Sequence, residues 1–126
     1  MIDHVSIPVS DLKASAAFYE AALAPLGLAR LVDRELTVGF GKRYPEFWLN
    51  QRDGLSPAPE GSGAHVALRA RDKDAVIAFH RAALAHGGAC DGPPGDRPAA
   101  MTTYFGAFVR DPDGNRIEAL TFPSPD

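Results

Sequence analysis

The sequence predicts an α+β fold built from two copies of one strand–helix–strand unit. The main observation is an internal repeat: residues 4–27 align without a gap on residues 65–88, so that His4 corresponds to His65. In addition, each copy opens with a strand-like alternation followed by a helical pattern, and further strand-like segments follow both helices. Two copies of one unit usually share a core that neither could form alone, so we expect a single domain.

Composition indicates one compact domain without a nucleic-acid or membrane role. Of the 126 residues 45% are hydrophobic, and 13 Lys and Arg against 16 Asp and Glu give a formal net charge of −3. No basic excess is left for binding phosphates, and no apolar run approaches the roughly 20 residues that a membrane span needs. The N-terminus has no signal-peptide pattern, and Cys90 is the only cysteine. We therefore predict a cytoplasmic location.

The first copy is predicted to begin with a strand and a helix. Apolar residues at positions 5, 7 and 9 alternate with His4 and its polar-face neighbours, so the histidine lies opposite the apolar side chains. Asp11 suits the N-cap of the helix, which should end near Pro25 and Gly27. The apolar stripe of this helix is predicted to consist of Leu12, Ala16, Tyr19 and Leu23.

The second copy repeats this pattern. The apolar positions 66, 68 and 70 oppose the face of His65, and Asp72 is the expected N-cap of the second helix. Its buried stripe is predicted to consist of Val76, Phe79 and Ala83. The domain is thus divided into module one at about 1–52, a linker at about 53–62 and module two at about 63–124.

Strand pairs are predicted after both helices. They cover residues 35–40 and 46–50 in module one, and residues 104–110 and 115–122 in module two. The second pair is joined by Asp-Pro-Asp-Gly, where Pro112 suits the second turn position and Gly114 the position that needs a positive φ. Residues 87–98 are rich in Gly and Pro and are interpreted as a long loop of the kind that often forms a lid.

Three residues on or beside these strands form a candidate metal site. His4 and His65 occupy equivalent positions, and Glu118 lies on the polar face of the last strand. If the modules are related by a pseudo-twofold axis, the two imidazoles face each other beside the carboxylate. Such a set binds a divalent metal and leaves coordination positions open. The alternative is that His4 is an ordinary surface histidine and that Glu118 is a solvated carboxylate paired with Arg116.

The repeated His-Val...Asp...Ala-Phe-x-x-Ala-Ala-Leu-Ala unit and the closing segment FVRDPDGNRIEAL resemble the vicinal oxygen chelate superfamily of glyoxalases, bleomycin-resistance proteins and extradiol dioxygenases. The resemblance covers the whole chain. It implies two tandem βαβββ modules that form a half-open, barrel-like mixed β-sheet with the helices on the outside. It also implies a homodimer, and it places the ligands of a divalent ion (Zn, Ni, Mn or Fe) at His4, His65 and Glu118.

One position departs from the glyoxalase I pattern. Aligning the ends of the two modules places Trp48 opposite Glu118, where glyoxalase I would carry a fourth, carboxylate ligand. Glyoxalase I activity is therefore disfavoured. Glu46, which shares the strand face of Trp48, is a less favoured candidate for the missing ligand, because it aligns with Arg116 when nothing is inserted. We interpret Trp48 as a wall of the ligand pocket, with a place in the core as the alternative.

Tyr104 and Arg97 complete the candidate substrate pocket. Tyr104 or its neighbour Phe105 should point inward from its strand, and a tyrosine hydroxyl there could orient a substrate, although simple packing explains an aromatic residue equally well. Arg97 lies in the predicted loop, where it could meet an anionic substrate or remain solvated.

Two functions of different classes follow. The first is a metal-dependent enzyme whose divalent ion binds two neighbouring oxygens of a small substrate, in a reaction of lyase, isomerase or dioxygenase type. The alternative is a metal-free protein that sequesters a small molecule or drug, as bleomycin-resistance proteins do. In either case the modules may close one pocket within a chain, or each may pair with the opposite module of a partner chain.

Overall fold

The computed structural model describes residues 1–123 and contains two similar units in chain order. The predicted end of module two at residue 124 lies outside the described residues. The first unit consists of β1 (Val5–Val9), α1 (Leu12–Leu23), a 3₁₀ turn (Ala24–Leu26), β2 (Ala29–Asp33), β3 (Thr37–Gly41) and β4 (Pro45–Gln51). The second consists of β5 (Val66–Arg69), α2 (Lys73–Ala85), β6 (Ala89–Pro98), β7 (Thr103–Arg110) and β8 (Arg116–Thr121).

Each unit forms its own four-stranded mixed sheet. The strand orders are β1-β4-β3-β2 and β5-β8-β7-β6, and in each sheet the first strand pairs in parallel with the last strand of its unit. Neither sheet closes on itself, so β1 and β5 are both edge strands. The predicted α+β class, the βαβββ order of both units and the half-open form are confirmed.

The helices begin where the sequence predicts. The carboxylates of Asp11 and Asp72 accept hydrogen bonds from the backbone N–H groups of Ala14 and Ala75, so each satisfies a donor that the first helical turn leaves free. Gly27 ends the 3₁₀ turn that follows α1 with φ 82°, a conformation that favours glycine.

A single hydrophobic core joins the two units, and α1 packs against α2. The predicted stripes of both helices are buried in it, including Tyr19, which is fully buried. The sheets contribute residues from one face of β1, β3, β4, β7 and β8, which are Ile7, Val9, Val38, Phe40, Phe47, Leu49, Ala107, Val109, Ile117 and Ala119. The opposite face of each sheet is therefore left for other contacts.

Polar contacts also hold the β7–β8 turn against the first unit. The Tyr19 hydroxyl donates to Asp111 Oδ2 over 2.6 Å, and Asn115 Nδ2 donates to the carbonyl oxygen of Pro8 over 2.9 Å. Asp111 is only 4% exposed, and burial raises the pKa of its carboxyl, while the hydrogen bond from Tyr19 and those from Asn115 and Asp113 oppose this shift. Gly114 has φ 87°, as the predicted turn requires.

The interpretation of residues 87–98 as a loop is wrong, because residues 89–98 form the edge strand β6. Its pairing with β7 has two irregularities, between Cys90 and Gly92 and between Gly92 and Gly95, and the second contains the two adjacent prolines of this strand. Proline is tolerated on an edge strand, because its missing N–H on the open side removes no hydrogen bond between strands. The edge strand β2 was likewise not assigned from the residues.

Candidate functional site

Glu118 is the buried centre of the candidate site. It lies in β8 between two core residues, Ile117 and Ala119, and points to the opposite face of the sheet. Its lateral neighbours are Phe108 on β7 and Ala67 on β5. The residue is nevertheless only 3% exposed, and a buried carboxylate needs compensating partners.

His65 provides one such partner. Its Nε2 atom lies 3.2 Å from Glu118 Oε1, and its ring packs against Phe108 with the centroids 5.8 Å apart. On the other side of the ring, Nδ1 lies 3.1 Å from the carbonyl oxygen of Gly63. A carbonyl oxygen only accepts hydrogen bonds, so Nδ1 carries the hydrogen and donates. Such a bond orients an imidazole so that its Nε2 can act as a ligand.

The pair fits a divalent metal. Glu118 Oε2 is buried and accepts no hydrogen bond of normal geometry from residues 1–123, and the Tyr104 hydroxyl lies near this carboxylate. The 3.2 Å between His65 Nε2 and Glu118 Oε1 also suits two ligands of one ion, because ligands at about 2.1 Å and roughly tetrahedral or octahedral angles lie about 3.0 to 3.4 Å apart.

His4 does not complete this cluster within the chain. It precedes β1, its side chain is 53% exposed, and its Nδ1 lies 2.8 Å from Asp3 Oδ1. His4 and His65 do line one cavity of about 460 Å³ at the open edges of β1 and β5. Within residues 1–123, however, no group of three His, Cys, Asp or Glu side chains is close enough to hold a metal ion.

Trp48 occupies the position in module one that Glu118 occupies in module two. In the parallel pairs of the two sheets, Trp48 lies opposite Ser6 and Glu118 lies opposite Ala67. The repeat aligns Ser6 with Ala67, so the observed register matches the sequence alignment. Trp48 is half-buried and faces away from the core, and its ring covers Gly39, where an added Cβ would lie 3.0 Å from the ring. It is therefore not a core residue.

Tyr104 and Arg97 lie beside the same face of the second sheet, opposite each other on β7 and β6. Burial raises the pKa of the Tyr104 hydroxyl, the nearby Glu118 carboxylate raises it further, and the Arg97 guanidinium lowers it. The Arg97 guanidinium carbon lies 5.8 Å from the centroid of the Phe108 ring. Both residues thus belong to the surroundings of Glu118. Arg97 does so from a strand, not from the predicted loop.

Arg116 does not pair with Glu118, so this part of the alternative considered from the sequence is wrong. Its Nε lies 3.4 Å from Asp91 Oδ2, and its Nη2 donates to the carbonyl oxygen of Glu60 over 2.7 Å. Arg110 joins the same group through Asp91 at 3.0 Å. The two arginines therefore hold the inter-module linker against β7 and β8.

Sequence reasoning missed two residues of this site, Phe108 and Gly106. Phe108 neighbours both the imidazole of His65 and the guanidinium of Arg97. A Cβ on Gly106 would lie 3.3 Å from Glu118 Oε2 and 2.9 Å from the Tyr104 ring, so glycine provides the space for both side chains. The alternation of Tyr104, Gly106 and Phe108 along one strand was the available signal.

Comparison with known proteins identifies the family of this chain. The sequence pattern of the Glyoxalase/Bleomycin resistance protein/Dioxygenase superfamily matches residues 1–119. The chain belongs to this superfamily. The match covers nearly the whole chain. No curated protein matches the sequence significantly.

Solved structures of the superfamily share this fold. A glyoxalase/bleomycin resistance protein from Albidiferax ferrireducens is 36% identical, with a TM-score of 0.81 over 94% of this chain and 97% of that one. A family enzyme from Burkholderia phytofirmans is 16% identical, with a TM-score of 0.74 over 97% and 98% of the two chains. A glyoxalase I mutant from Zea mays is 24% identical and has a TM-score of 0.71, but this chain spans only 44% of it. The last two comparisons show the fold alone.

The membrane prediction can be checked for the helices. None of the helices formed by residues 1–123 is long and apolar enough to cross a membrane.

Proposed function

We propose that this superfamily member is a metal-dependent enzyme that acts on a small molecule with two neighbouring oxygens. The observation that carries the proposal is the buried, unpartnered Oε2 of Glu118, 3% exposed as a residue, beside an imidazole whose Nε2 lies 3.2 Å from the other carboxylate oxygen. A buried anion with an unsatisfied oxygen is costly, and a divalent cation would remove that cost.

The residues around the site have separate roles. A bound divalent ion would supply Lewis-acid polarisation of the two substrate oxygens. Glu118 and His65 would hold the ion, and the Gly63 carbonyl orients the His65 ring. Phe108 keeps water from one side of the pair. The Tyr104 hydroxyl is near the Glu118 carboxylate and could hold a substrate oxygen or exchange a proton with it.

We further propose that the active unit is a cytoplasmic homodimer in which the partner subunit's His4 supplies the third ligand. Within one chain α1 packs on α2, and the edges of β1 and β5 remain unpaired. His4 lies at the start of β1, away from Glu118, and is exposed. A second chain that places its module one against module two would bring His4 and Trp48 to the face of Glu118.

The first test is metal binding by purified apoprotein, measured by titration calorimetry and by elemental analysis. We expect Glu118→Gln to weaken Zn²⁺ or Mn²⁺ binding by at least 100-fold, since it removes a charged ligand at nearly constant volume. Glu35→Gln is the matched control, because Glu35 is an exposed carboxylate between β2 and β3 that does not line the cavity of His4 and His65. It should bind metal as the wild type does.

Circular dichroism and unfolding curves establish that both variants are folded. Equal metal binding by folded Glu118→Gln and wild-type protein would contradict the proposed site. A loss of metal binding in Glu35→Gln alone would also contradict it, because the ligand would then be a carboxylate outside the proposed site.

A specific observation favours the second candidate function, a metal-free binding protein of bleomycin-resistance type. Trp48 stands where module two carries Glu118, so module one offers an aromatic surface instead of a carboxylate ligand. Aromatic surfaces bind planar organic molecules without chemistry. Binding of a planar ligand to metal-free protein that is unaffected by Glu118→Gln and lost in Trp48→Ala would support this function.

A further inference from the structure

The Arg97 side chain reaches the sheet face that carries Glu118, although Arg97 lies in the edge strand β6. The side chain folds back over two glycines of the same strand, Gly92 and Gly95. A Cβ on Gly92 would lie 3.2 Å from Arg97 Nη2, and one on Gly95 would lie 3.8 Å from Nη1. The irregular glycine-containing strand therefore leaves a space that the guanidinium fills.

The charge of Arg97 has no acidic partner in the part of the chain that the structure describes. Its guanidinium donates to the carbonyl oxygen of Pro93, a neutral acceptor, and lies over the ring of Phe108 at 5.8 Å. Other half-buried arginines are paired: Arg30 lies 2.9 Å from Glu20, and Arg116 lies 3.4 Å from Asp91. A half-buried cation without a counter-charge is a favourable partner for an anion from solution.

The distances connect Arg97 to the candidate metal site. The Phe108 ring centroid is 5.8 Å from the His65 ring centroid and 5.8 Å from the Arg97 guanidinium carbon. Phe108 is also the lateral neighbour of Glu118 in the sheet. His65, Glu118 and Arg97 thus all neighbour Phe108, so a small planar molecule that lies against this ring could contact the His65–Glu118 pair and Arg97 together.

We propose that Arg97 is a specificity-determining residue that binds a carboxylate of the substrate, so that the substrate is a small planar carboxylate with two neighbouring oxygens at its other end. The planar guanidinium can donate two parallel hydrogen bonds to a carboxylate, which a lysine cannot reproduce. This inference rests on the proposed function, because it assumes that His65 and Glu118 hold the oxygen-bearing end.

Two probes of nearly equal shape test the charge preference. The first is 3,4-dihydroxybenzoate, which has a carboxylate opposite two neighbouring hydroxyls, and the second is the neutral 3,4-dihydroxybenzamide. We expect wild-type protein in Zn²⁺ to bind the benzoate about tenfold more tightly than the benzamide, a preference that weakens with added salt. In Arg97→Gln the preference should disappear, and in Arg97→Lys it should be reduced.

Arg81→Gln is the matched control, since Arg81 is exposed on α2 and its loss changes the net charge equally. It should keep the full preference. A wild-type protein that binds both probes equally, or neither, would overturn the inference, and so would an unchanged preference in folded Arg97→Gln.

A titration of each protein with Zn²⁺ alone separates this inference from the proposed function. Zn²⁺ bound through Glu118 together with equal binding of both probes would refute only the role of Arg97. Absence of Zn²⁺ binding together with an Arg97-dependent preference for the benzoate would refute the metal site and support the anion site.

Discussion

At the scale of single residues, the candidate site depends on its glycines as much as on its larger side chains. Glycines at 39, 92 and 106 lie beneath Trp48, Arg97 and Glu118, and an added Cβ at each would come within 3.3 Å of the side chain concerned. These glycines do not need a positive φ. Their role is to allow close approach of a neighbouring group to the backbone.

Gly106→Ala tests this role directly. The new Cβ would lie 2.9 Å from the Tyr104 ring and 3.3 Å from Glu118 Oε2, so the carboxylate must shift. We expect the free energy of unfolding to fall by about 1 to 3 kcal/mol, as for other overpacked positions. Metal affinity should fall together with it, which calorimetry would measure.

Gly61→Ala serves as the control, because an added Cβ there meets no atom within 4 Å. It should leave both stability and metal binding nearly unchanged. A Gly106→Ala protein with wild-type metal affinity would show that the packing around Oε2 tolerates a displaced carboxylate and does not define the site.

At the scale of secondary-structure elements, the β7–β8 turn is the polar joint between the two units. Asp111 accepts hydrogen bonds from Tyr19, from the Asn115 side chain and from the backbone N–H groups of residues 113 and 115. Asp113 accepts another from the backbone of Ser10. The turn thus connects β8, which carries Glu118, to the start of α1 in the first unit.

Tyr19→Phe should destabilise the protein by about 1 to 3 kcal/mol, because it removes a donor from a buried carboxylate while keeping the ring. Urea unfolding monitored by circular dichroism would measure the change. Tyr44→Phe is the control: Tyr44 is exposed, and its hydroxyl lies 3.4 Å from Asp3. It should change stability by less than about 0.5 kcal/mol. Similar effects of the two substitutions would contradict the role of Asp111 in holding the two units together.

The elements differ in how well the sequence predicts them. Both helices and the β7–β8 hairpin have strong local signals, namely Asp11 and Asp72 as caps and Gly114 in the turn. The strand β6 has no such signal, because its Gly and Pro residues disfavour a strand locally. Pairing with β7 and the open edge beside it overcome that preference, and these are tertiary contacts.

At the scale of the whole molecule, the proposed site combines His4 of one subunit with Glu118 of the other, in contrast to a site formed within one chain. A mixture of His4→Ala and Glu118→Gln chains distinguishes the two arrangements. If the site lies between subunits, random dimers of two defective variants should regain about a quarter of the wild-type metal capacity, since one site in each mixed dimer is intact.

The mixed sample is prepared by refolding both chains together, and each variant refolded alone provides the baseline. If His4 and Glu118 of the same chain bind the metal, the mixture should bind no more than the average of the two baselines. Chromatography with light scattering would verify that mixed dimers have formed.

The sequence by itself determined the α+β class, the twofold repeat and the correspondence between Trp48 and Glu118. These features follow from periodicity and from an ungapped repeat, which the chain shows without any comparison. The βαβββ order and the superfamily were implied by the resemblance of its motifs to a known family, since β2 and β6 have no clear strand signal of their own. Only the tertiary structure showed that Glu118 is buried with an unpartnered oxygen, that His4 lies apart from it, and that Arg97 reaches over two glycines to Phe108. Such facts depend on packing between strands distant in sequence, which no local pattern encodes.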